Sequence, residues 1–187
     1  INRIITLLQE GDTLVRGSPR EGSLIEEITS RYERVGLKLI GLTMFVPTEE
    51  IVEKHYLLDP DWKRAVGQKA IDSYEKKGIE PPSKDPVEVG DRVVAGLKKY
   101  VTSGPVVAMV WQGAHVVEVV RKITGGTEPR SSDVGTIRGD YSHESYQLSD
   151  AKKRPVRNLV HASGTAEEAK REIGLWFAKE ELYKYTK

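Results

Sequence analysis

Apolar residues recur along the chain with two different periods, and they outline alternating strands and helices. Leu24, Ile25, Ile28, Tyr32 and Val35 follow a helical spacing. Ser23 and Glu26 stand at capping-box separation at its start, and Gly36 is a natural stop. Residues 37–46 are rich in large and β-branched side chains and predict a strand that Pro47 ends. A short helix is expected over residues 48–56. Trp62, Val66, Ala70 and Tyr74 recur four apart, which predicts an amphipathic helix over 62–77 ending near Gly78. Pro81, Pro82 and Pro86 predict an extended loop over 80–90. Val93, Val94, Leu97 and Val101 then line one side of a helix over 92–101. Residues 105–111 read as a buried strand, 114–123 as a helix and 124–140 as a long loop. Residues 158–161 predict a short strand or loop, and 165–177 a helix opened by a Thr165–Glu168 capping box. The first strand has two candidates, residues 12–16 and residues 4–8. This order predicts an α+β fold: a ferredoxin-like antiparallel sheet covered by helices, in a single domain over residues 1–187.

Composition narrows the class without changing that picture. With 187 residues, 38% hydrophobic and 30% charged, the chain can bury a core of its own. No apolar run approaches the ~20 residues that a membrane span needs, and the opening residues show no secretory pattern, so no membrane is expected. Cysteine is absent, which removes disulfides, zinc–thiolate sites and thiol nucleophiles and fits a cytoplasmic setting. The net charge is +1, from 29 basic and 28 acidic residues, and no basic stripe is interleaved with aromatics. A nucleic-acid partner is therefore not expected.

Among His55, His115, His143 and His161, the last differs in its surroundings. In Asn158-Leu-Val-His161-Ala-Ser163-Gly-Thr165 it lies between a short apolar run and a turn of small residues, which leave space for a ligand beside the ring. Glu172, on the following helix, can fold back onto the imidazole, holding one ring nitrogen and leaving the other to attack. From spacing alone, a buried histidine beside a helix start is the commoner reading. Gly125-Gly-Thr127-Glu-Pro129 reads as a phosphate-binding turn or an ordinary surface loop, and Arg121 and Arg138 as phosphate forks or partners of acids.

Taken together, these pieces resemble the nucleoside diphosphate kinase family, in its longer, archaeal-type form. The resemblance rests on SGPVVAMVW (103–111), the helix carrying Arg121, GGTEP (125–129), GTIRGD (135–140), NLVHAS (158–163) and EIGLWF (172–177), in the family's order. It covers roughly residues 12–56 and 91–187, and GTIRGD followed by NxxHxS is its most specific part. The resemblance implies ping-pong transfer of a γ-phosphate from a nucleoside triphosphate to a nucleoside diphosphate through a phosphohistidine on His161. Glu172 would orient the ring and Ser163 would support that pair. Arg121, Thr127 and Arg138 would contact phosphates, Asn158 the ribose hydroxyl and phosphate region, and Tyr56 would supply an aromatic near the histidine. Mg²⁺ would be held mainly through the nucleotide phosphates rather than by a protein cage. A homohexamer or homotetramer is implied.

Three departures accompany the resemblance. The family's opening Lys-Pro-Asp motif, whose lysine touches the transferred phosphate, is missing. An ungapped count puts Arg16-Gly17-Ser18 there, and the competing assignment starts the fold with residues 4–8 and loses the motif. The phenylalanine on which the family stacks the base is replaced near Val93, which cannot stack. Residues 57–90 form an insertion, expected as a helix and a proline-rich loop at the lid. The rival function is a nucleotide-binding or regulatory paralogue with weak phosphotransfer, motivated by Arg16 and Val93.

Overall fold

The computed structural model describes residues 3–9, 24–56, 60–76 and 78–186. In chain order the elements are β1 (Arg3–Gln9), α1 (Leu24–Arg34), β2 (Lys38–Phe45), α2 (Glu49–His55), α3 (Pro60–Lys76) and α4 (Pro86–Val101). There follow β3 (Val106–Gln112), α5 (Val116–Thr124), α6 (Ile137–Tyr141), α7 (Tyr146–Ala151), β4 (Val160–Ala162) and α8 (Ala166–Trp176). They fall into two compact units, one of Ile1–Val46 with Gly104–Lys187 and the other of Pro47–Ser103.

The first unit holds the sheet, in the order β2-β3-β1-β4. Every pair is antiparallel. That order and the helices between strands give the expected ferredoxin-like α+β fold. The central strands explain the packing. Residues 106–111 of β3 are buried on both faces, and so are residues 4–8 of β1. A strand buried on both faces has no polar alternation, which is why this segment reads as one apolar run. Ile4, Leu8, Val107, Met109 and Trp111 pack with Ile28 and Tyr32 of α1 and Val116, Val117 and Val120 of α5. The polar atoms inside this layer are paired: Trp111 Nε1 donates to Thr6 Oγ1 at 3.2 Å, and the Tyr32 and Thr124 hydroxyls lie 2.8 Å apart. Of the two candidates for the first strand, the structure has Arg3–Gln9. Residues 12–16 and Ser23 lie outside the described residues.

The second unit is helical. Thr48 caps α2 through Ile51 N–H, and α3 runs where the four-residue spacing predicts a helix. The extended loop expected through Gly90 is shorter than predicted. Helix α4 starts at Pro86, because Asp85 caps Val87 N–H and a proline suits the first helical turn, where no N–H is required. Two further helices, α6 and α7, lie in stretches for which the periodicity predicts none.

Candidate active site

Residues at the end of the sheet build the site. β4 is only three residues long, and its pairing with β1 sets His161 opposite Leu7. Antiparallel register then places His161, Leu7, Ala108 and Thr43 on one face, the face opposite Met109 and the α1/α5 core. Immediately after β4, Thr165 Oγ1 accepts Glu168 N–H at 3.1 Å and starts α8. The Glu168 carboxylate reaches back to Gly164 N–H rather than to Thr165, a one-residue variant of the predicted capping box.

The helix so started carries Glu172 back to the histidine. His161 Nε2 lies 3.2 Å from Glu172 Oε2, and Ser163 Oγ donates to the same oxygen at 2.7 Å. Arg171 Nη2 lies 3.6 Å from the other oxygen, Oε1. The Glu172 side chain is 3% exposed and that of His161 30%, so a shielded carboxylate supports a ring that solvent reaches. With an ionised acceptor on Nε2, the ring proton sits there and the nucleophilic lone pair is on Nδ1.

A second group forms around GTIRGD. Thr136 accepts Gly139 N–H and caps α6, and Asp140 folds back on Gly135 N–H at 2.8 Å. Arg31 of α1 pins this segment through Asp140 at 2.7 Å, the Gly135 carbonyl and the Tyr141 hydroxyl. Burial alone would raise the Asp140 carboxyl, but the Gly135 amide and the Arg31 guanidinium outweigh it and hold the group below its ordinary value. α6 delivers Arg138 into the protein, 9% exposed. Its guanidinium donates to four backbone carbonyls: Asn158 from Nε, Gly125 and Gly126 from Nη1, and Val160 from Nη2. No carboxylate pairs with it among the described residues. Burial, with Arg121 nearby, pushes its pKa down to about 10 against the opposing pull of Tyr32, so it stays cationic at neutral pH. Gly125 ends α5 at φ +90, and a Cβ there would meet Thr136 Oγ1 at 2.6 Å, so glycine is required on both counts.

The predicted residues are placed as follows. His161 and Glu172 converge, as the spacing suggested, and Ser163 joins them, as the resemblance implied. Arg121 is exposed on α5, close enough to Arg138 for the two cations to repel. Thr127 is exposed, and its carbonyl lies 3.5 Å from Asn158 Nδ2. Tyr56 and Val93 belong to the second unit. Tyr56 follows α2 and packs edge-on to His55 and against Trp62, while Val93 is half-buried on α4. Arg16 lies outside the described residues. Sequence reasoning missed Leu159, a buried residue at φ +70 just before β4. Leucine carries no signal for positive φ, so no pattern could have found it.

Comparisons with known proteins point to one family. The family model for nucleoside diphosphate kinase matches residues 87–182. A nucleoside diphosphate kinase of Pyrobaculum aerophilum is 45% identical over 180 residues, 94% of this chain and 95% of that one. Human nucleoside diphosphate kinase A is 37% identical over 87% of this chain and 82% of its own length. Among solved structures, an NDP kinase from Pyrobaculum aerophilum superposes with a TM-score of 0.90 at 42% identity, covering 98% of this chain and 99% of that one. A transition-state mimic of the Borrelia burgdorferi enzyme with vanadate and ADP gives 0.75 at 31% identity, covering 99% and 92%. The chain belongs to the nucleoside diphosphate kinase family.

Proposed function

We propose that the chain passes the terminal phosphoryl group of a nucleoside triphosphate to a nucleoside diphosphate in two in-line steps through Nδ1 of His161. The observation that carries this reading is the Ser163–Glu172–His161 array, which fixes Nε2 on a buried carboxylate. In the first step the Nδ1 lone pair attacks the γ-phosphorus. The bond to the β,γ-bridging oxygen breaks, and the diphosphate leaves with the electron pair. Glu172 stabilises the positive charge that develops on the ring, and Ser163 keeps the carboxylate in place. The second step reverses the first on another diphosphate.

Arg121, Thr127 and Arg138 hold the phosphates, Arg138 through the N–H left over from its four carbonyl bonds, and Asn158 holds the ribose. Two cations without carboxylate partners among the described residues suit the charge of a phosphoryl group in flight. With the first strand at Arg3–Gln9, the count that placed Arg16 beside the transferred phosphate loses its basis. Mg²⁺ carried by the nucleotide phosphates would neutralise charge there. A slower-than-usual transfer is favoured by one observation: β1 ends on neutral Gln9, with no lysine at the strand end. The setting is cytoplasmic and the assembly a homohexamer or homotetramer. Leu42 and Met44 of the edge strand β2, and Val46 just beyond it, support self-association, being 53%, 59% and 58% exposed. Initial rates measured against both nucleotides test the mechanism: parallel double-reciprocal lines are expected, and intersecting lines would rule out the two-step exchange.

A further inference from the structure

Leu159 is the residue on which a new assignment turns. It is a buried leucine at φ +70, and Val160 N–H donates to Asn158 O at 2.8 Å across it. A hydrogen bond from i+2 to i around a positive φ is the strained form of the γ-turn, which persists only where its surroundings enforce it. This turn immediately precedes the strand that carries His161, so its shape decides where the ring points. Two of the enforcing contacts are ordinary: Leu159 is part of the core, and Val160 pairs with Leu8.

The third is Arg138. Its Nε and Nη2 donate to the carbonyls on either side of the inverted residue, Asn158 O at 3.3 Å and Val160 O at 2.5 Å. From the same plane, Nη1 donates to Gly125 O and Gly126 O, both at 3.0 Å. One rigid fork thus joins the turn before the nucleophile to the turn that leads into Thr127. Lysine, a point charge without a fixed donor geometry, could not span four carbonyls. We infer that Arg138 is a positioning residue: it holds the strained Asn158–Leu159–Val160 turn in register with the Gly125–Gly126 turn, and so aims His161 at the phosphorus. The inference rests on the phosphohistidine reading but concerns how the histidine is aimed, not only what binds the nucleotide.

The test uses two phosphoryl donors and one amide. Phosphoramidate has no nucleoside and no β-phosphate. Nδ1 attacks its phosphorus, the P–N bond breaks and ammonia leaves. In Arg138→Lys, the rate of His161 phosphorylation should fall by about 100-fold with phosphoramidate as well as with ATP, the scale of an ångström-sized misplacement. The KM for ATP should change far less. The Val160 amide should also exchange with solvent faster than in the unsubstituted protein. A loss confined to ATP, with phosphoramidate reacting at the unsubstituted rate, would show a phosphate ligand only and overturn the inference. Should the variant not fold, the unsubstituted protein still decides. The Arg138 Nε–H is expected to exchange at least tenfold more slowly than that of exposed Arg121, and equal rates would overturn the clamp. If the unsubstituted protein takes label from neither donor, the phosphohistidine reading fails, and the exchange measurements still judge the clamp by itself.

Discussion

Glu172 illustrates how a single side chain gathers its role from several neighbours. It is buried, shares Oε2 between Ser163 and His161, and meets Arg171 on Oε1. Glu172→Gln would keep the shape and remove the charge that fixes the ring tautomer. The rate of His161 phosphorylation should then drop by about 100-fold or more, read as incorporation of γ-labelled phosphate. A different carboxylate governs stability. Glu144 is 10% exposed and takes both forks of Arg154 at 2.6 and 2.8 Å. Burial alone would raise its pKa, but Arg154 outweighs burial and holds it below 4.5. A depressed pKa means the stabilisation is present above pH 4.5 and is lost as pH falls through the folded value. Glu144→Gln should therefore cost about 2–4 kcal/mol at pH 7. The gap to the unsubstituted protein should narrow in acid, as measured by denaturant melts at a series of pH values. At this scale the sequence was readable for His161 and Glu172, whose spacing across a capping box implies convergence, while Ser163 came only through the family resemblance. It was not readable for Leu159 or for the partners of Arg138. A positive φ on leucine and four backbone carbonyls leave no trace in residue type.

Helices divide into those that periodicity can reveal and those it cannot. α1, α5 and α8 each bury a stripe, so their spacing shows. α6 and α7, at 5 and 6 residues, are too short to complete a period. The structure supplies their caps: Thr136 accepts from Gly139 N–H and Ser145 from Leu148 N–H. Proline misled at α4, where Pro86 opens the helix instead of extending the loop. The second unit depends on a close helix crossing that no hydrophobic pattern displays. A Cβ at Gly67 would lie 1.7 Å from Pro86 O, and one at Gly90 2.2 Å from Lys63 O. Backbone cannot yield as a flexible side chain would. Gly67→Ala should destabilise the protein by on the order of 2–3 kcal/mol, with the loss of protection in hydrogen exchange concentrated in α3 and α4. Uniform loss across the sheet would contradict this.

For the molecule as a whole, fold class was readable because β3 and the flanking helices follow clear patterns, while the N-terminal strand offered two candidates that pattern alone could not separate. The edge of the sheet adds an expectation about assembly. The chain's own tail covers part of β2, with Tyr183 N–H on Ile40 O and the Tyr185 hydroxyl on Leu39 O. Leu42 and Met44 lie beyond that cover and remain exposed. Met44→Lys should shift the mass in light scattering toward smaller species, and an unchanged mass would remove β2 from the interface. The central claim concerns the phosphoryl group itself. The most direct test is to mix the protein with γ-labelled ATP and Mg²⁺, remove nucleotide, and add unlabelled GDP. The protein should carry acid-labile, base-stable label at His161, none should form in His161→Ala, and GDP should take the label off as GTP. Label that persists in His161→Ala, or that GDP cannot remove, would contradict the account.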